Sequence, residues 1–356
     1  MRMALICPEV DGMPIRFSQA WRLPGNFVQW WCGLLDGDYW IGNALPDATT
    51  LARLDEYDVV LINQNTTQYK ITVQLAETLK HCKVVGFQDG SAEDITVIPH
   101  YLRGDMIRSL RAMHMFLVYQ EWAPHLFSTL TDKPVRYVGF PVSLDVIRQY
   151  ALPADQREEV VILGSPLGHG GASFLAATVA GEYMHFGGHD RNGVLTAFAV
   201  QKALPGVRMS AIETGWHPPI QAWHEQEGEF HREFLPALEM HLGEGQDTYW
   251  RRIARCKLAV HLDMLHTFGR FAIECALVGT PCIGTPYNGT QSRLWPDLCF
   301  HPFMDMDKVV EKIRELWGNS ALRYQACYNA QAALPHFSEA AVVDRFRKAV
   351  AEIGVE

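Results

Sequence analysis

The stretch Cys256–Thr285, CKLAVHLDMLHTFGRFAIECALVGTPCIGT, decides how the chain is read. It opens as a strand, KLAVHLD, that ends at Asp263-Met264-Leu265-His266. Thr267 then caps a helix whose first turn holds Phe268, Gly269 and Arg270, and Ala272, Ile273, Ala276 and Leu277 face inward. Gly279 fits the left-handed position after the last turn, Pro281 follows it, and PCIGTP supplies the next strand. Strand, helix, strand is the repeating unit of a parallel sheet. A helix N-terminus presents backbone N–H groups, and a glycine there lets a phosphate or a sugar hydroxyl come close. One carboxylate, Glu274, lies on the inward side about two turns in, and charges are rarely buried without a partner. Two partners suit it. Glu274 accepts hydrogen bonds from a vicinal diol such as a ribose, or it pairs with Arg270 at i−4, and the residues alone do not choose.

The same alternation runs outward in both directions. Before residue 150, MALICP, YDVVLINQ (57–64), CKVVGFQDG (82–90), MHMFLVYQ (113–120) and VRYVGFP (135–141) read as strands, and ITVQLAETLKH (71–81) has helical spacing. The polar segment LPADQREE (152–159) breaks the series. A second series follows. VVILGS (160–165), VRMSAIETG (207–215) and ALEMHLG (237–243) are strands. NGVLTAFAVQKAL (192–204), DTYWRRIARC (247–256, N-cap Asp247), MDKVVEKIRELWGN (306–319) and SEAAVVDRFRKAVAEIG (338–354, N-cap Ser338) are helices. The expected fold is α/β: two tandem doubly wound, Rossmann-like domains, 1–152 and 153–335, facing a cleft, with ligands at the carboxyl ends of the strands.

Bulk properties set limits. The 356 residues suffice for two domains, and 48% hydrophobic with 20% charged content is ordinary for a soluble globular protein. No run of about 18 apolar residues predicts a membrane span, and the N-terminus reads as a first strand rather than a signal. Eight cysteines without C-x-x-C spacing suggest reduced thiols and a cytoplasmic location, where the sequons Asn65-Thr66-Thr67 and Asn288-Gly289-Thr290 carry no meaning. The net charge is −9, and acidic groups outnumber basic ones in both halves. That balance argues against tight binding to DNA or to an anionic membrane.

The stretch 256–285 resembles the C-terminal signature of family 4 of the retaining glycosyltransferases, which have the GT-B fold. There a strand leads to E-x-F-G-x-x-x-x-E, then small apolar residues, then G-x-P-V-I; Phe268, Gly269, Glu274, Ala276, Gly279, Pro281 and Ile283 stand at the matching positions. DRNGVLTAFA (190–199), YVGFPVSLD (137–145) and HFSEAAVVDRFRKAV (336–350) are similar to further family segments, more loosely. The resemblance implies that Glu274 binds the ribose of a nucleotide-diphosphate sugar. It also implies that Phe268, Gly269 and Arg270 contact donor sugar and diphosphate, that Arg191 neutralises the diphosphate, and that a C-terminal helix (336–356) crosses back to the first domain. No metal or other cofactor is implied, since enzymes of this fold generally hold the diphosphate without one. The family's first glutamate falls at His266 here. A histidine exchanges one hydrogen bond with a sugar hydroxyl but is no fixed negative charge; Asp263, three residues earlier, is placed to take over.

Other candidates are less specific. GSPLGHGGAS (164–173) is a glycine-rich loop after a strand, with Gly164 and His169 as donor contacts. Trp216, in ETGWHPP, offers a face for a base. In the first domain, which the fold assigns to the acceptor, the loop 7–25 brings Asp11, Gly12 and Arg16, the loop 87–94 brings Asp89, and His100 follows. His224, Glu225, Glu227 and His231 match no metal spacing. Asp36-Gly37-Asp38 and Asp305-Met306-Asp307 are triplets that bind metal in a different glycosyltransferase fold; here Asp38 reads as loop and Asp305 as a helix start. The expected activity is sugar transfer, with retention, from a nucleotide-diphosphate sugar to a saccharide, a small molecule or a modified nucleic acid. The rivals are a sugar-nucleotide epimerase, a transferase acting on modified DNA bases, and a non-catalytic sugar- or nucleotide-binding protein.

Overall fold

Val59–Gln64 is a strand with every side chain buried, the mark of a parallel strand covered on both faces. The computed structural model that contains it describes residues 1–7, 35, 37–42, 44–64, 68–88, 100–164, 193–213, 232–242, 245–264 and 268–355. Those residues fall into two units, Met1–Ser143 with His336–Glu356, and Leu144–Pro335.

The first unit holds β1 (Met3–Cys7), β2 (Asp38–Ile41), α1 (Ala48–Leu54), β3 (Val59–Gln64), α2 (Tyr69–Thr78), β4 (Lys83–Gln88), α3 (His100–Ala112), β5 (Met115–Val118), α4 (Ala123–Phe127) and β6 (Val135–Tyr137). The strands pair in the order β2-β1-β3-β4-β5-β6, all parallel. Val60, Ile62, Val84 and Phe116 meet Ile71, Leu75 and Leu110 of the covering helices in one core. Burying each such side chain stabilises by about 1.5–3 kcal/mol.

The second unit holds α5 (Leu144–Arg148), β7 (Glu158–Leu163), α6 (Gly193–Ala203), β8 (Arg208–Glu213), β9 (Leu238–Leu242), α7 (Gln246–Arg255), β10 (Cys256–His261), α8 (Arg270–Val278), β11 (Cys282–Gly284), α9 (Gln291–Leu294), α10 (Met306–Gly318) and α11 (Ser320–Ala333). Its strands pair in the order β11-β10-β7-β8-β9, again all parallel. Strand order therefore reverses between β7 and β10, and in open parallel sheets the carboxyl ends of the strands at such a reversal are where ligands bind.

The last helix, α12 (Glu339–Ala351), belongs to the first unit. Ser338 bridges to Val142, its hydroxyl caps the helix through Ala341 N, and Arg345 donates to Val138 O at 2.8 Å. Arg136 on β6 grips Glu352 with Nε at 2.9 Å and Nη2 at 2.6 Å.

Several sequence expectations change. Asp38 opens strand β2 instead of lying in a loop, and it accepts a hydrogen bond from the Tyr57 hydroxyl. The N-cap of α7 is Gly245, and Asp247 stands inside the first turn. Helix α8 starts at Arg270 behind Gly269, which is left-handed at φ 82°, so Phe268 and Gly269 precede the helix; Thr267 lies outside the described residues. The chain passes from one unit to the other at Ser143/Leu144 rather than at 152/153. The reason is packing: Tyr150 meets Trp250 with ring centroids 5.5 Å apart, and the Arg251 guanidinium lies over its ring at 5.0 Å.

Candidate functional site

The candidate site at the β7/β10 reversal is built from side chains that the stretch 256–285 supplies and from the turn after β11. Strand β10 ends at His261, and the chain continues through Leu262 and Asp263, which is fully buried. Asn288, also fully buried, faces His261 with Nδ2 at 3.3 Å from Nδ1. With that amide donating, the imidazole carries its proton on Nε2, which looks toward Asp263 Oδ2 at 3.5 Å. The Thr285 hydroxyl donates to Asp263 O at 2.5 Å, and the Thr290 hydroxyl donates to Gly269 O at 2.6 Å. The turn after β11 thus pins both ends of the segment between β10 and α8.

Two glycines are required here. A Cβ on Gly164, at the end of β7, would lie 2.4 Å from the Phe271 ring and 2.9 Å from the His261 β-carbon. A Cβ on Gly269 would lie 2.7 Å from Thr290 Oγ1, in a backbone conformation that L-residues avoid. Close packing at these points brings the end of β7, the end of β10 and the start of α8 together.

Glu274 is 2% exposed, and three donors already hold it. Trp250 Nε1 and Arg270 Nε reach Oε1 at 2.9 and 2.8 Å, and the Tyr249 hydroxyl reaches Oε2 at 2.9 Å. The pairing with Arg270 at i−4 is therefore present. A carboxylate has about four acceptor positions; Oε1 has used both of its own and Oε2 one. One further hydrogen bond, not two, fits Glu274 in this arrangement. Burial of the Tyr249 hydroxyl, with the adjacent Glu274 charge, drives its pKa well above the ordinary value and keeps it a donor. Phe268 is buried, and Arg270 is one quarter exposed.

His100 is the first residue of α3, exposed, with its ring edge-on to Tyr101 at 6.1 Å. The expected site residues His266, Arg191, His169, Trp216, Asp11, Gly12, Arg16 and Asp89 lie outside the described residues. In the first unit carboxamides close β3 and β4, and another stands two residues after β5. Asn63, Gln64, Gln88 and Gln120 are all buried. Gln64 donates to the Thr72 hydroxyl at 2.7 Å and accepts from Ser109 at 3.0 Å. Asp305 serves its own helix end: it accepts from Lys308 Nζ at 2.7 Å and from His301 N at 3.1 Å. Among the described residues no group of three His, Cys, Asp or Glu side chains is arranged to hold a metal ion. Among the same residues, no helix is long and apolar enough to cross a membrane.

Sequence reading missed His261, Asn288, Tyr249 and Trp250. The signal for His261 was a polar residue inside an otherwise apolar strand, AVHLD. Asn288 and Thr290 were visible only as a sequon. Tyr249 and Trp250 lie on α7, and nothing local marks them as partners of a carboxylate 24 or 25 positions later.

No protein-family model matches the sequence, and neither does any curated protein sequence. Solved structures do match in fold. HepE from Anabaena, in complex with UDP, superposes with a TM-score of 0.68 over 99% of this chain and 100% of its own, at 11% identity. The chain has the GT-B fold. Sucrose-phosphate synthase from Thermosynechococcus elongatus (TM-score 0.65, 12% identity, 99% and 98% covered) matches to a similar degree. So does trehalose 6-phosphate synthase from Burkholderia multivorans (0.67, 10%, 99% and 96%).

Proposed function

We propose that the protein is a glycosyltransferase that takes a sugar from a nucleotide-diphosphate donor, held by the second unit, and passes it with retention to an acceptor held by the first. The observation that carries this reading is the reversal of strand order between β7 and β10, beside which a left-handed Gly269 starts α8 and Arg270 holds Glu274. It is supported by a full-length likeness in fold to a protein solved with UDP and with UDP-glucose. UDP-sugars are therefore the first donors to test.

Each part has a chemical task. Backbone N–H groups at the start of α8 meet the diphosphate, and Arg191 adds a positive charge as negative charge builds on the departing nucleotide. Glu274 offers Oε2 to one ribose hydroxyl. Asp263, oriented by His261, supplies the fixed negative charge that His266 lacks. His100, Asp11, Gly12, Arg16 and Asp89 face the acceptor, a saccharide, a small molecule or a modified nucleic acid. No cofactor takes part.

A thermal-shift panel of UDP-, GDP-, ADP- and TDP-sugars tests the reading, because a ligand that binds only the native state raises the melting temperature. A shift with one nucleotide family, together with release of its nucleoside diphosphate over time, is the expected result. A shift without release would favour a binding protein. No shift with any of them would remove the transferase reading.

A further inference from the structure

At the amino end of the second sheet, away from the carboxyl ends of its strands, the second unit contains a cavity of about 300 Å³. It is lined by the starts of β7 and β10 and by one face of α11, with Arg157, Lys257, Arg323, Tyr324 and Tyr328 contributing. A volume of that size takes a small organic molecule.

The charges around it do not balance. Arg157 is half-buried, and its guanidinium donates only to neutral acceptors: Leu152 O at 2.9 Å, Val278 O at 2.7 Å, Cys256 O at 3.3 Å and the Thr280 hydroxyl. Arg323 likewise donates to Leu316 O and to Trp317 O at 2.8 Å. Lys257 binds Glu159 through both carboxylate oxygens, at 2.6 and 2.8 Å, and lies over the Trp317 ring. Three cations therefore line the cavity against one carboxylate. Of the carbonyls that hold the two arginines, Val278 O, Leu316 O and Trp317 O belong to the last turns of α8 and α10, and Cys256 O is at the C-cap of α7. Each helix end contributes about half a negative charge, so roughly half a positive charge is left over. The Cys327 thiol in the wall does not cancel it, because burial pushes its pKa up to about 12 and keeps it neutral. Burial also holds the Arg157 pKa below its usual value, with Arg323 nearby adding to the shift.

The rim is aromatic. Tyr324 and Tyr328 stand one helical turn apart on α11, 73% and 61% exposed. Large rings left this exposed beside a positive cavity suit a ligand with a flat apolar body and an anionic end.

We propose that this cavity is a binding site for a small aromatic anion, a phosphate or carboxylate carried on a planar ring, separate from the donor site. The full chain is titrated calorimetrically with phenyl phosphate and benzoate, with phenol as the neutral control and UDP as the competitor. At least one of the two anions should bind with 1:1 stoichiometry, and roughly tenfold more tightly than phenol. Ser320→Glu adds a carboxylate to the lining at the first position of α11, where an acidic residue suits the helix; it should weaken the anion roughly tenfold without loss of fold. Tyr328→Ser should weaken it as well, and saturating UDP should leave it unchanged. Absence of binding by both anions, equal binding of phenol, indifference to Ser320→Glu, or displacement by UDP would each overturn the proposal.

Discussion

The carboxyl ends of the first sheet carry Asn63, Gln64, Gln88 and Gln120, while those of the second carry His261 and Asp263, with Arg270 and Glu274 close behind. Both sets are buried or nearly so, but they solve burial differently. A carboxamide donates and accepts without charge, so it needs hydrogen-bond partners and no counter-ion. A buried carboxylate needs both. In the second sheet Glu274 meets that need internally, held by Arg270, Tyr249 and Trp250, while Asp263 has the His261 imidazole 3.5 Å away. The lesson is electrostatic. Where side-chain charges offset one another, the backbone N–H groups of α8 become the natural partners of an anionic donor, and a carboxamide-lined edge suits neutral hydroxyls.

The contrast can be broken by mutation. Glu274→Ala should have the largest effect, a loss of about 3 kcal/mol in urea unfolding, because it leaves the Arg270 charge and two buried donors without their acceptor. Gln64→Ala is its counterpart in the first sheet. It takes one hydrogen bond each from the hydroxyls of Thr72 and Ser109, which keep Gln68 O and Met106 O as acceptors, and it strands no charge, so it should cost about 2 kcal/mol or less. Equal losses at the two positions would contradict the charged-versus-neutral account. Gly269→Ala adds a side chain at φ 82° against Thr290 and should cost about 1–2 kcal/mol. Its sharper readout is donor affinity, which should fall further than stability does, as measured by titration with a UDP-sugar.

The smallest effect is expected far from both edges. Arg136 holds the Glu352 carboxyl below its usual 4.5 through paired hydrogen bonds, tying α12 to β6. A carboxylate with a depressed folded-state pKa stabilises above its unfolded value and loses that contribution as pH falls through the folded value. Glu352→Gln should therefore reduce stability slightly at neutral pH, by less than about 1 kcal/mol for so exposed a pair. The difference from wild type should shrink toward zero once acid protonates Glu352. Unfolding curves at neutral and acid pH would show it.

How far the sequence could be read follows the same divide between local and distant partners. The alternation of YDVVLINQ, CKVVGFQDG and KLAVHLD placed β3, β4 and β10 because strand burial is written in consecutive residues. Gly279 was legible as the left-handed end of α8, and Ser338 as the cap of α12, because those motifs span a few positions. Helix α11 and strand β2 went unread: the one has tyrosines where an apolar stripe would stop, and the other is four residues long. At the site, Glu274 and Gly269 stood out. Their partners Tyr249, Trp250, Asn288 and Thr290 did not, because each arrives from another element and only folding brings it near.

The most direct measurement is a crystal structure of the protein with UDP. The account predicts the diphosphate against the N–H groups at the start of α8, beside Gly269, with one ribose hydroxyl on Glu274 Oε2 and the Arg270 contact intact. A nucleotide bound elsewhere, or a Glu274 that abandons Trp250 and Arg270 to grip both ribose hydroxyls, would contradict it.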